Sequence, residues 1–147
     1  MQYNNPQMMV KVGMPTPQAV IYKSESHKLH QAFAVATGKT IIQGQPVKLN
    51  EDGTIEGYAG EGVYLGIAVT NSKFPAYPGE EVTVMMEGFA VIYGLSNGEI
   101  KASYITPDRA EPDADSQYIR YNQGISTPFI ALNTAAEAGE LIQILVK

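Results

Sequence analysis

Apolar and polar positions in this chain follow a pattern that occurs twice. Gly66-Ile67-Ala68-Val69 is followed by Pro78-Gly79-Glu80-Glu81-Val82-Thr83-Val84, and Phe129-Ile130-Ala131-Leu132 by Ala138-Gly139-Glu140-Leu141-Ile142-Gln143-Ile144. Each copy reads as an apolar strand, a turn built on Gly-Glu and a second strand. In the second strands Val82 and Val84 match Ile142 and Ile144, while Thr83 and Gln143 fall between them. That is the two-residue alternation of a half-buried strand. A further echo is read upstream, with residues 47–55 around Asp52-Gly53 set against residues 91–100 around Asn97-Gly98. Both dipeptides predict hairpins, because a type I′ turn places both central residues at positive φ, where Asn, Asp and Gly are tolerated.

The same alternation, punctuated by glycines, predicts strands over 40–42, 46–49, 54–58, 64–70, 81–86 and 89–93, then over 118–121, 128–132 and 141–146. Residues 26–35 fit neither the helical nor the strand period. Residues 106–116 combine Pro107 and Pro112 with acidic and small side chains, so they predict a surface loop with no ladder strand. Residues 134–138 read as a small-residue connection with room for one helical turn. The expected fold is mainly β, a small β-barrel or β-sandwich with an internal strand-turn-strand repeat. Residues 1–20, rich in proline, predict an extended N-terminal arm ahead of a single β-rich domain over 21–147.

Size and charge narrow the partners. A chain of 147 residues fits one domain without disulfides, and it has no cysteine for a thiol nucleophile or a Cys-ligated zinc. A net charge of −5 with no basic cluster argues against nucleic acid, whose binding rests on neutralising phosphates. No apolar run is long enough to span a bilayer, and no basic segment precedes an apolar one, so neither a membrane span nor a signal peptide is expected.

Candidate chemistry is sparse. His27 and His30 would share a face if residues 26–35 were helical, but two ligands do not complete a zinc site. Asp108, Glu111, Asp113 and Asp115 lack the spacing of a calcium loop. The serines sit in no nucleophile-elbow pattern, and Glu80 and Glu81 alternate across a strand start. No enzyme, cofactor or metal is expected. Interaction features are richer: Phe74 and Tyr77 lie in the first Gly-Glu hairpin loop, and Tyr104, Tyr118 and Tyr121 flank the acidic loop as candidate interface anchors.

The repeated Gly-Ile-Ala-Val and Pro-Gly-Glu-Glu-Val-Thr-Val segments, preceded by Gly44-Gln45-Pro46-Val47-Lys48-Leu49-Asn50 and Asp52-Gly53, resemble the small β-rich capsid decoration, or cement, proteins of tailed bacteriophages. The resemblance runs from about Thr40 to the C-terminus. It implies a compact, often trimeric module assembled in the host cytoplasm. Such a module sits on the capsid exterior where major capsid protein subunits meet, and stiffens the head. It also implies that the arm anchors the module, with Met8, Met9, Val10 and Val12 adding an edge strand to a capsid protein sheet. The competing expectation is a head-fibre or carbohydrate- or cell-surface-binding module in which Phe74, Tyr77, Tyr118 and Tyr121 stack on sugars. A small hydrolase would require a histidine to approach a serine or carboxylate in a cleft.

Overall fold

The computed structural model describes residues 20–23, 29–70, 75–87, 90–113 and 118–147. These form β1 (Val20–Lys23), β2 (Leu29–Ala34), β3 (Pro46–Leu49), β4 (Ile55–Gly57), β5 (Val63–Thr70), β6 (Glu81–Glu87), β7 (Ala90–Ser96), β8 (Tyr104–Pro107), β9 (Arg120–Gln123), β10 (Phe129–Ala131) and β11 (Leu141–Val146). Among the described residues there is no helix, and the fold is mainly β. Within the indeterminate stretch, Leu29–Ala34 is a strand, β2. The connection at 134–138 makes no helical turn; Ala135 instead forms a β-bridge with Ile100.

The strands fall into two sheets of the same plan. The first runs β2-β6-β5-β3-β4, and the second runs β7-β11-β10-β8-β9 with β1 added outside β7. The second sheet closes into a barrel, because β9 returns to pair parallel with β7 through Leu95↔Arg120 and Ser96↔Tyr121. The first sheet curls the same way but closes only through a single parallel bridge, Val35↔Ile55. Curling a sheet back on itself satisfies backbone groups that an open edge would leave exposed.

The two halves share one pairing scheme, interrupted in the first half by bulges at Leu29/His30, Val47/Lys48 and Ala68/Thr70. Ala68 pairs with Val84 across β5 and β6, and Ala131 pairs with Ile144 across β10 and β11. In the turns, Gly79 N–H donates to Val35 O at 2.9 Å, and Gly139 N–H donates to Ser96 O at 2.9 Å. Both glycines take the left-handed conformation, at φ 85° and 89°, which disfavours side chains and explains the Gly-Glu spelling of both turns. The glutamate that follows each glycine ties the turn shut: Glu80 Oε1 accepts from Tyr77 N–H at 2.7 Å, and Glu140 Oε2 accepts from Glu137 N–H at 2.7 Å. The closing bonds also match, with Ala36 N–H on Ile55 O and Asn97 N–H on Tyr121 O, both at 2.9 Å. By this register β2 to β6 correspond in order to β7 to β11, and the repeat spans both halves.

That correspondence corrects three sequence-based expectations. The counterpart of the β3–β4 hairpin is not 91–100 but the β8–β9 pair, in which Ile105↔Gln123 matches Val47↔Gly57. The matching turn was hidden because a tight link around Asp52-Gly53 in the first half is replaced by the long acidic connection in the second. Asn97-Gly98 makes no hairpin; β7 and β8 are not neighbours, and the chain leaves β7 to bridge at Ile100. Thr106 and Pro107, assigned to a loop, end β8, where proline at a strand terminus interrupts no ladder.

Candidate functional site

Each barrel has its own interior. Val35, Ile41, Val47, Ile55, Val82 and Val84 are buried in the first. Ile92, Ile105, Tyr121, Phe129, Ile142 and Ile144 are buried in the second. Phe33 packs against the first interior, and its register equivalent is Gly94. At Gly94 a Cβ would lie 2.5 Å from Tyr121 Cε1 and 2.8 Å from Ile144 Cδ1. Tyr121 in turn is the equivalent of Ile55. The second barrel therefore sets Tyr121 over a bare glycine at the two positions where the first has Phe33 and Ile55.

Tyr118 and Tyr121 are thus not exposed anchors: they are 3% and 0% exposed. The apolar strands around them draw the rings inward, because the residues flanking the acidic loop continue into β9 and the barrel wall. Burial, with Tyr93 nearby, pushes the Tyr118 phenol up to about 12. Burial does the same more strongly to Tyr121, with a smaller contribution from Tyr64. The Tyr121 hydroxyl has no hydrogen-bond partner among the described residues. A sugar platform of Phe74, Tyr77, Tyr118 and Tyr121 loses two of its four rings to the core.

Tyr77 and Tyr104 do reach solvent, at 49% and 38% exposure. Tyr77 stands on the first Gly-Glu turn. Tyr104 opens β8, and its carbonyl accepts from Gly124 N–H at 2.8 Å and Gln123 Nε2 at 2.9 Å. Phe74 and the arm residues Met8, Met9, Val10 and Val12 lie outside the described residues.

Tyr104 belongs to a feature the sequence reading missed. Val91↔Leu145, Leu145↔Ile130 and Ile130↔Tyr104 are successive cross-strand partners, so four apolar side chains form one row across β7, β11, β10 and β8. The row lies on the outer face, opposite the inward set Ile92, Ile144, Ala131 and Ile105. Its first three members are partly exposed, and Leu132, the residue after β10, is 47% exposed. The signal was present in the sequence: residues 129–132 are apolar without alternation, as in strands covered on both faces.

In the first half the same outward positions are Met85 and Ile67, with Val69 beside Ile67 in a bulge of β5, and the three are 3%, 0% and 3% exposed. They belong to one continuous apolar cluster with Ala90, Phe129 and Val146 of the second barrel. Tyr58 and Tyr64 of the first half complete this contact. The Tyr64 ring meets Phe129 edge-on at 5.3 Å, and Tyr58 lies 6.3 Å from Phe129. Buried Gln45 also ties the halves, accepting from Ile42 N–H at 2.9 Å and donating to Ala110 O at 2.7 Å.

Other candidate chemistry is dispersed. Asp113 pairs with Arg120 at 2.8 Å, and Asp108 accepts from Asn122 Nδ2 at 2.7 Å, so two acidic-loop carboxylates brace β9. Asp115 and His27 lie outside the described residues, and His30 is on a strand, not a helix. Among the described residues no group of three or more His, Asp or Glu side chains is placed to hold a metal ion. A cavity of about 100 Å³ beside Gln45, lined by Lys39, Glu56 and Glu111, is far smaller than the several hundred Å³ of a typical organic-ligand site. The chain matches no protein-family model, and no curated protein matches it in sequence.

Proposed function

We propose that the protein is a structural component of a tailed-phage virion that binds the outer surface of the capsid and stabilises the head. The observation that carries this reading is the contrast between a tightly filled duplicated core and a partly exposed apolar outer face that includes Tyr104. Such a molecule offers surfaces and rigidity, which suits a shell clamp. The segments that carry the resemblance to decoration proteins lie in this framework as the matched pairs β5–β6 and β10–β11 and the β3–β4 hairpin. On this reading the arm adds a strand to the major capsid protein through main-chain hydrogen bonds, with Met8, Met9, Val10 and Val12 filling pockets, and the barrels associate with further copies of themselves.

The test is co-sedimentation of the purified protein with mature heads, beside a variant lacking residues 1–19. Saturable binding by the full chain, lost on deletion with the melting temperature unchanged, is the expected result. Failure of the full chain to bind heads overturns the capsid reading. Binding that survives the deletion overturns the role given to the arm.

A further inference from the structure

We infer that the outer face of the second barrel docks on the first half of another copy of this chain, in a head-to-tail contact. The molecule already contains one example of that contact. Outward Ile67, Val69 and Met85 of the first half are buried in a cluster that holds a row at one end of the second barrel, where Phe129 pairs with Val146 and Val146 with Ala90. The outward residues of the second half at the register of Ile67 and Met85 are Ile130 and Leu145, and Leu132 lies beside Ile130 where the first half has the bulged Val69. They are equally apolar, and among the described residues no third barrel covers them. By position along the strands, the end of the first half corresponding to Phe129, Val146 and Ala90 carries buried Gly66, half-buried Met86 and Leu29, which is 53% exposed and is set against Glu87 by a bulge absent from the second half. Each copy therefore presents one apolar row and, in Met86 and Leu29, an apolar edge at the place in the first half that corresponds to the surface already covered inside the chain.

Because the two surfaces differ, the contact is heterologous, and copies joined this way form a ring or a line rather than a two-fold dimer. The proposal rests on the internal repeat and not on the capsid reading, and its test uses no capsids.

The full chain and the variants Leu132→Glu and Leu29→Glu are compared by light scattering after size-exclusion chromatography. Both side chains are about half exposed, so the folds should persist, which circular dichroism melts verify. The expected result is association of the unaltered chain, weakened at least about thirtyfold by either charge placed in a desolvated contact. Mixing the two variants should give a heterodimer, because one retains the row and the other the end. A monomeric unaltered chain overturns the proposal. So does an oligomer that survives either substitution, or a mixture that stays monomeric.

Discussion

The two barrels share a register and differ in what stands inside and outside it. Inside, the first uses Phe33 and Ile55 where the second uses Gly94 and Tyr121, so backbone geometry was held while the filling was exchanged. Outside, Ile67 and Met85 are covered, whereas Ile130 and Leu145 meet solvent. Polar detail follows the same rule. Asn50 Nδ2 donates to Glu56 at 3.1 Å in the first half, and at the matching pair Asn122 Nδ2 donates to Asp108 at 2.7 Å, with donor and acceptor exchanged. Ser96, the counterpart of Val35, has gained a hydroxyl that donates to Glu137 O at 2.7 Å and accepts from Glu140 N–H at 3.1 Å. A repeated fold thus conserves pairings of positions more strictly than identities of residues, since a barrel needs its space filled and its bonds made, by whichever wall supplies them.

The strongest challenge to this comparison transplants one core into the other. Gly94→Phe alone is expected to cost about 3 kcal/mol or more by overpacking against Tyr121. Adding Tyr121→Ile should recover most of that loss, seen as a return of the urea midpoint. A double variant as unstable as the single one would show that the two sites do not share one space.

The bond between the halves gives the next largest effect. Gln45→Ala leaves the Ile42 N–H without its buried acceptor and removes the link to Ala110, which should cost about 2 kcal/mol. Ser103→Ala, at the equivalent but exposed position, should stay within about 0.5 kcal/mol.

Alkali sharpens the contrast by titration. Tyr64, Tyr118 and Tyr121 all have raised folded-state values, Tyr64 through burial and then Tyr58. The folded form holds these protons more tightly than the unfolded form, whose phenols ionise near 10, so their contribution is fully present below about pH 10. It is lost as pH rises through the folded-state values. Tyrosinate absorbance should therefore appear in two phases, the later one coinciding with loss of the β-sheet signal. A single phase near 10 in a folded protein would contradict the burial described.

The smallest effect expected is a gain. Tyr121→Phe removes a hydroxyl with no partner among the described residues and keeps the ring that fills the second barrel, so it should stabilise by about 1 kcal/mol. A fall in melting temperature would mean that a bound water satisfies that hydroxyl.

Much of the framework was legible in sequence. β3 and β11 were placed at their observed ends, and the aligned repeat of Ala68 with Ala131 and Val84 with Ile144 is the register the molecule uses. Turn chemistry made this possible, because a positive φ at Gly79 and Gly139 constrains local sequence. Long-range pairing carries no such signature. The partner of β8 lies beyond a connection whose length differs between the halves, so the repeat was set against 91–100. The same limit applied to the tyrosines, because flanking a polar loop does not say which way a ring turns once the chain re-enters a barrel. The outer row was missed because its members lie on four strands far apart in sequence.

The exchanged core also bears on how the chain finds its fold. Two halves with one register invite mispairing during synthesis, when β2 could meet the strands of the second half or β7 those of the first. Swapping β2 for β7 would put Phe33 into space that Tyr121 already occupies, and the reverse swap would leave Gly94 facing Ile55 with a void between them. One hybrid clashes and the other is hollow, so both are disfavoured against the correct pairing. The divergence of Phe33 and Gly94 thus gives each half an energetic preference for its own strand, exerted as the swapped sheet closes on Tyr121 or Ile55.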